Sequence, residues 1–438
     1  MTTNDIQTAN AQTTVTAPKA ASPFPASSFR ILAQGQFMDN NTWHTGINNN
    51  DLIIGPSGAG KTRSYVKPNL MQCDHSVIVA DTKGSLIHEV GPLLKEKGFE
   101  VVNIDFTDMA HSPCGYNPLA YIRRDGETGR YSEKDILAVS ACLCPVETEK
   151  DPFWEKSAQM YVACMVAYVL EALPEEEHHL GFVRELFGLL DVKDAFANLI
   201  GELEAQDPDS FAARQYHLFC NAKRVEKTFE CIRMFIAERL SQLTFHDALK
   251  LYSNPNQVDF PSLGREKTAV FLTISDTDRS QDVLAGLFYT QAFQSLCESA
   301  DKDYADHRLP VPVRLILDDF ATNVQIPDFD NTISVIRSRE IYTSVILQSL
   351  TQLDAIYGPA KAKTILNNCD NCLYLGGQDE ATARYISVRA RKTLDTIMGM
   401  PVDNAYLLTR GVSAKLVQKF DLKSHQLYSR LPEAPLQK

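Results

Sequence analysis

The chain of 438 residues is 44% apolar and 22% charged, which is ordinary for a globular protein with room for two or three domains. Its formal net charge of −12 argues against a protein that coats nucleic acid with its whole surface, but leaves room for a local basic stripe. No apolar run approaches the about 20 residues that a membrane span needs. The first residues also lack a basic segment followed by an apolar core. We therefore expect a cytosolic protein, unless a partner holds it at a membrane.

The ten cysteines are scattered along the chain, which favours a reducing compartment over a disulfide framework. The close pairs are Cys142 with Cys144 and Cys369 with Cys372. Neither pair has a second pair or a histidine at ligand spacing. We interpret these four residues as small buried apolar side chains rather than as a metal or redox site.

The first third of the chain alternates between strand and helix signals. Residues 1–28 are rich in Thr, Ala, Ser, Asn and Pro and predict a disordered tail. Residues 29–131 then form the first part of an α/β domain, in which a helix at 84–97 separates two strands and alternation predicts a parallel sheet. The predicted strands are 51–55, 76–81 and 100–106.

Strand signals stop at residues 132–253, where helical patterns predict an all-α domain that interrupts the sheet. Ten basic and seventeen acidic residues give its 151–253 portion a net charge of −7. Strand signals return in residues 254–438, the second part of the α/β domain, which closes with a hairpin around Gly411. The helices are predicted at 132–143, 153–173, 180–204, 208–221 and 223–242; the strands at 268–275, 313–319, 343–349, 371–377, 404–410 and 414–420.

The most informative motif follows the first buried strand. The apolar residues 52–54 lead into Gly55-x4-Gly60-Lys61-Thr62, the pattern of a phosphate-binding loop. Its glycines let backbone N–H groups face phosphate oxygens, Lys61 reaches the β- and γ-phosphates, and the Thr62 hydroxyl is a ligand for Mg²⁺. The sequence therefore predicts an ATP and Mg²⁺ site, whose nucleotide-binding residues are Gly55, Pro56, Ser57, Gly58, Ala59, Gly60, Lys61, Thr62 and Arg63.

Polar residues at the ends of two later strands predict the rest of this site. The run 313–319 ends in Asp318, predicted to hold the Mg²⁺ shell, and Asp319, predicted to orient or deprotonate the attacking water. Gln348 ends the next apolar strand, where it either senses the γ-phosphate or the attacking water, or instead bonds to a loop. Arg337 and Arg339 precede that strand, and each is either a trans-acting catalytic arginine or part of a solvated helix end.

Several shorter motifs accompany the phosphate loop in a fixed order. They are Asp81-Thr-Lys-Gly84, Tyr116-Asn-Pro118, Phe153-Trp-Glu155, Leu317-Asp-Asp-Phe-Ala321, Ile336-Arg-Ser-Arg-Glu340 and Tyr374-Leu-Gly-Gly377. With residues 48–70 they resemble the type IV secretion coupling proteins, the TraG-type ATPases of conjugative DNA transfer, over nearly everything from about residue 30 onward. Asp81 to Gly84 could equally be a turn with a surface lysine.

The resemblance implies a RecA-like motor interrupted by an all-α domain that recognises substrate. It also implies a homo-hexamer around a central channel, transfer of relaxase-bound single-stranded DNA, and docking on the components of a secretion channel. Members of the family usually have the pair Asp-Glu where this chain has Asp318 and Asp319. Most members also have N-terminal transmembrane helices. The chain is therefore expected at the inner face of the bacterial cytoplasmic membrane, with a separate membrane-anchoring partner or as a soluble form.

Two other functions stay open at this stage. One is a motor that pumps double-stranded DNA, which the helical insertion disfavours. The other is a receptor that binds ATP without hydrolysing it and presents DNA or protein effectors to a channel. Asp319 keeps the second alternative open, because its side chain is one methylene shorter than the usual glutamate.

Overall fold

A computed structural model describes residues 28–146, 152–220, 226–320 and 324–434 of the chain. The predicted disordered tail, apart from residue 28, lies outside the described residues. The first described elements are the strands β1 (Phe29–Ala33) and β2 (Gln36–Asp39), which form an antiparallel hairpin, and the short helix α1 (Thr42–Thr45). The sequence analysis missed this hairpin.

A nine-stranded sheet forms the centre of the molecule, in the order β11-β10-β9-β3-β8-β7-β4-β6-β5. The strands from β3 to β9 run parallel, and β10 and β11 form an antiparallel edge. The predicted α/β class with a mostly parallel sheet is confirmed. The bounds are β3 (Asp51–Ile54), β4 (Ser76–Asp81), β5 (Glu100–Asp105), β6 (Thr268–Thr273), β7 (Val313–Leu317), β8 (Ile341–Leu347), β9 (Asn371–Tyr374), β10 (Asn404–Thr409) and β11 (Lys415–Gln418).

The central strands are mostly apolar because helices cover both faces of the sheet. Every residue of β3, β4, β6, β7, β8 and β9 is buried. The covering helices are α2 (Lys67–Leu70), which continues a π-helical turn at Thr62–Val66, α3 (Leu86–Glu96), α11 (Asp282–Asp303), α12 (Phe329–Val335), α13 (Leu350–Asn367), α14 (Glu380–Ala390) and α15 (Leu394–Met398).

The described part of the segment between β5 and β6 contains helices and no strand. Its helix α5 supplies eleven buried apolar residues, and they join one continuous apolar core with β3, β4, β6 and β7. The division of the chain at 132 and 253 into a separate domain stays a prediction. The helices are α4 (Glu133–Leu143), α5 (Phe153–Ala172), α6 (Leu180–Gly188), α7 (Ala195–Gln206), α8 (Phe211–Cys220), α9 (Glu226–Leu243) and α10 (His246–Tyr252).

Most predicted elements differ from the structure by one to three residues at their ends, and two of the differences have a cause in the backbone. The helix predicted at 180–204 is two helices, because the backbone turns between them and Asp194 adopts a left-handed φ of 58°. The strand predicted at 313–319 ends at Leu317, since Asp319 also has a left-handed φ, of 49°. The apolar run at 161–170 lies inside α5, and no helix of the described residues is long and apolar enough to span a bilayer.

Candidate nucleotide site

The phosphate loop begins where β3 ends, at the carboxyl edge of the sheet. Gly55 donates its backbone N–H to the Leu347 carbonyl at 3.0 Å, which ties the loop to β8. A side chain at this position would collide, because a Cβ there would lie 2.9 Å from the Cβ of Ala59. Gly58 and Gly60 adopt φ values of 78° and 88°, which glycine reaches without strain. This alternation of backbone conformations is the kind that turns N–H groups toward an anion.

Lys61 is held inside the loop rather than extended into solvent. Its ammonium donates to the Gly55 carbonyl at 3.0 Å and lies 3.2 Å from Oδ1 of Asp319. The side chain is only 7% exposed. A buried cation at this position can be transferred from the carboxylate to a phosphate without first losing a full hydration shell.

Thr62 and Asp318 meet although they lie 256 residues apart. The Thr62 hydroxyl donates to Oδ2 of Asp318 at 3.1 Å. Burial and the neighbouring carboxylate of Asp319 raise the pKa of Asp318 to about 6, against the opposing effects of Lys61 and the Thr62 hydroxyl. A carboxylate and a hydroxyl that converge in this way are the oxygen ligands that Mg²⁺ prefers. The predicted pair therefore fits the metal.

Asp319 and Gln348 meet beside the same loop. Gln348 follows β8, and its amide nitrogen lies 3.4 Å from Oδ1 of Asp319. The left-handed backbone of Asp319, a conformation that aspartate tolerates better than most residues, turns its side chain toward Lys61 and Gln348. The structure thus brings five predicted residues together: Lys61, Thr62, Asp318, Asp319 and Gln348.

A cavity of about 560 Å³ opens at this edge and is large enough for a nucleotide. It is lined by the loop from Pro56 to Arg63, both acids and Gln348. Asp81, at the end of β4, also borders the cavity, but its carboxylate accepts the backbone N–H groups of Ser85, Leu86 and Ile87 at the start of α3. Asp81 thus has a structural role at the site.

The sequence analysis missed cations and acids on the helix side of the cavity. Lys67, about one turn beyond Thr62, lines the cavity and contacts the carboxylates of Glu89 and Glu433. Glu433 also accepts from Arg63 at 2.9 Å, so one carboxylate binds both cations. The i, i+4 spacing from Arg63 on a helix could have indicated Lys67. Nothing in the sequence pattern indicated Glu433, which comes from the far end of the chain.

Arg337 and Arg339 lie away from this cavity. They precede β8, whose residues Ile341–Leu347 extend for about 20 Å toward the site. Arg337 donates to the Thr42 carbonyl at 3.3 Å, and Arg339 binds both carboxylate oxygens of Asp301 at 2.9 and 2.7 Å. Neither arginine contributes to the site of its own chain, and a role at a neighbouring subunit's site stays a prediction.

Comparison with known proteins assigns this chain to a family. The family model for type IV secretory system conjugative DNA transfer matches residues 10–394. Among curated relatives, the protein VirD4 of Rhizobium radiobacter is 23% identical over 337 residues, covering 77% of this chain and 47% of that protein. VirD4 of Agrobacterium fabrum is 23% identical over 354 residues, covering 77% of this chain and 48% of its own length. The chain thus spans about half the length of these relatives.

Solved structures share the fold at low sequence identity. The bacterial conjugative coupling protein TrwBΔN70, in its unbound form, superposes with a TM-score of 0.67 at 16% identity, covering 92% of this chain and 90% of that one. TrwB in complex with ADP and Mg²⁺ gives a TM-score of 0.65 at 16% identity, with 90% and 89% covered. VirB4 of Thermoanaerobacter pseudethanolicus gives 0.53 at 14% identity, with 91% and 98% covered.

Proposed function

We propose a function for this chain from one premise: it belongs to the type IV secretion family of conjugative DNA transfer proteins. The protein is an ATP-driven coupling protein. It recruits relaxase-bound single-stranded DNA, or protein effectors, and delivers it to the channel of a type IV secretion system. The VirD4 and TrwB matches support this assignment, and TrwB has been solved with ADP and Mg²⁺.

One observation carries the enzymatic part of the proposal. The Thr62 hydroxyl and the Asp318 carboxylate meet at 3.1 Å beside a buried Lys61, at the mouth of a cavity of nucleotide size. Thr62 and Asp318 would hold Mg²⁺. The Lys61 ammonium would leave the Asp319 carboxylate and bind the β- and γ-phosphates instead. When bound, the metal neutralises charge on the transferring phosphoryl group. Once Lys61 has left it, the Asp319 carboxylate would take a proton from the attacking water, and Gln348 would orient that water.

The test is ATP hydrolysis by the purified chain, with and without single-stranded DNA. We expect hydrolysis that single-stranded DNA stimulates. Lys61→Ala should reduce turnover to background without unfolding the protein, because the loop lies at the edge of the sheet. Arg265→Ala is a matched control, since Arg265 pairs with Asp259 outside the cavity lining. Turnover by Lys61→Ala near the wild-type rate would show that the proposed site is wrong.

A second function is favoured by a specific contact. Asp319 faces Lys61 at 3.2 Å, so the proposed base is occupied by a cation in this structure. If nucleotide leaves that pair intact, the protein binds ATP without hydrolysing it and serves as a substrate receptor. Tight binding of ATP, no release of phosphate and nucleotide-dependent capture of a relaxase would favour this alternative.

The helical segment 132–253 is proposed to be the substrate-recognition domain. Its net charge of −7 over residues 151–253 repels phosphate and attracts basic proteins. We therefore expect it to bind a basic relaxase or effector, while single-stranded DNA binds channel-facing loops of the motor domain with strong salt dependence. Crosslinking of the whole protein to relaxase and to DNA separates these contacts. DNA crosslinks concentrated in 132–253, with no relaxase crosslinks there, would contradict the assignment.

The active assembly is proposed to be a homo-hexamer at the inner face of the cytoplasmic membrane, held there by a separate membrane partner. The position of Arg337 and Arg339 at the opposite edge of the sheet from the cavity suits residues that act on a neighbouring subunit. Sedimentation with and without ATP tests the assembly.

A further inference from the structure

A lysine that follows the closing hairpin contacts the backbone of the phosphate loop. Lys419 directly follows β11 and is half-buried. Its ammonium donates to the backbone carbonyl of Ala59 at 2.9 Å. Burial lowers the pKa of Lys419, against the opposing effect of Asp403. The sequence gives no reason to link these two residues, which lie 360 positions apart.

This contact matters because of the peptide plane that it holds. The Ala59 carbonyl and the Gly60 N–H belong to the same rigid peptide group, and in a trans peptide they point in opposite directions. Fixing the carbonyl on Lys419 therefore fixes the direction of the Gly60 N–H. The peptide lies next to two glycines with positive φ, Gly58 and Gly60, so the local sequence alone restrains it weakly.

Lys419 is itself held in place from several sides. Its own backbone N–H donates to the Asp403 carbonyl at 2.9 Å. Phe420 and Leu422, which follow it, are buried in the apolar core, with exposed fractions of 7% and 0%. A rigidly mounted donor can select one orientation of a flexible loop, whereas a mobile surface lysine would gain little from the same contact.

We propose that Lys419 is a positioning residue for nucleotide binding, which orients the Ala59–Gly60 peptide so that the Gly60 N–H faces the phosphates. The inference rests on the proposed function, since it needs the loop to bind a nucleotide. Lys419 acts through the loop backbone and does not touch the phosphates.

The test is calorimetric binding of ADP with Mg²⁺ to four proteins: wild type, Lys419→Met, Lys419→Arg and Lys415→Met. Lys415 lies on β11 and approaches Gln36 instead of the loop, which makes it a matched control. Lys419→Met should weaken ADP binding about tenfold, as loss of a hydrogen bond from a charged donor predicts. Lys419→Arg, which retains a donor, should stay within about threefold of wild type, and Lys415→Met should be unchanged.

Two further readouts separate positioning from general electrostatics and from stability. The loss in Lys419→Met should persist between about 0.05 and 0.5 M salt, because a hydrogen bond is screened less than a distant charge. In hydrolysis, KM for ATP should rise more than kcat falls, and the melting temperature should match that of Lys415→Met. If Lys419→Met does not fold, Lys419→Gln replaces it, with an expected loss of about threefold.

The outcomes are distinguishable. If wild type binds ADP and Lys419→Met, or Lys419→Gln in its place, binds equally well, the inference is wrong and the proposed function stands. A loss that disappears at high salt also overturns it, because Lys419 would then act only as a charge. If wild type binds no nucleotide at all, the proposed function fails and the inference fails with it.

Discussion

The raised pKa of Asp318 predicts that this residue lowers the stability of the nucleotide-free protein. Its folded-state pKa is about 6, above the ordinary value of 3.8, so folding favours its protonated form. Above pH 6 the folded protein must hold a buried carboxylate beside Asp319. The two-unit difference corresponds to at most about 3 kcal/mol, and relaxation and water entry reduce this to about 1 to 3 kcal/mol. Asp318→Asn should raise the free energy of unfolding by that amount near neutral pH.

The sign of the pH dependence follows from the same pKa. Because the folded pKa is raised, the penalty is absent below the unfolded-state value of 3.8, grows as the pH rises toward 6, and is complete above it. Denaturant unfolding of wild type and Asp318→Asn without Mg²⁺, at about pH 4.5, 6 and 7.5, measures this change. The stability difference between the two proteins should shrink steadily as the pH falls. Asp354→Asn, an exposed carboxylate on α13, is the control and should show no such trend.

Asp318→Asn should gain less stability than wild type when nucleotide is added. Wild type should gain about 2.7 kcal/mol of stability from Mg²⁺ and ADP at a hundred times the dissociation constant. Asp318→Asn lacks the carboxylate that would hold the metal shell, so it should lose most of that gain. The reasoning is refuted if Asp318→Asn is no more stable than wild type near neutral pH, or if its advantage is the same at pH 4.5.

Three further sets of variants test separate parts of the proposed mechanism. Asp319→Asn should spare nucleotide binding and abolish hydrolysis, whereas Asp319→Glu, which reaches further, should raise the rate; equal loss of affinity in Asp318 and Asp319 variants would contradict their different roles. Glu433→Gln should tighten ADP binding about twofold to fivefold in calorimetry by releasing Arg63 and Lys67, and weaker binding would disprove this. Arg339→Ala chains mixed with Lys61→Ala chains should recover turnover at mixed interfaces, with Arg337→Ala assayed in the same way; arginine variants of full activity would exclude trans catalysis.

The sheet and most of the catalytic centre could be predicted because local patterns encode them. The strand at 76–81 was predicted to the residue, since six consecutive buried positions leave an apolar run between polar turns. The phosphate loop needs glycines at set spacing, and Asp318 and Gln348 each end an apolar strand. Parallel strands place such ends at one edge of the sheet, so the meeting of Asp318 with Thr62 followed from the sheet alone.

The missed features depend on which distant segments become neighbours. Lys419 and Glu433 reach the loop only because the chain returns along the edge of the sheet after β11, and no periodicity encodes that path. The hairpin from Phe29 to Asp39 was missed because its strands have only five and four residues, and β2 is only partly buried. The break near Asp194 was missed because aspartate at a left-handed position does not interrupt an apolar pattern as glycine or proline would.

The strand order has a consequence for how the protein is made. β3 emerges early during synthesis, but both of its neighbours in the sheet, β8 and β9, lie about three hundred residues later. The phosphate loop therefore has no partner strand on either side until nearly the whole chain has left the ribosome. A strand as apolar as β3 must be shielded from aggregation during that interval. Nucleotide binding then requires synthesis at least as far as β8, because a chain truncated before Ile341 has no β8 to which the loop can hydrogen-bond.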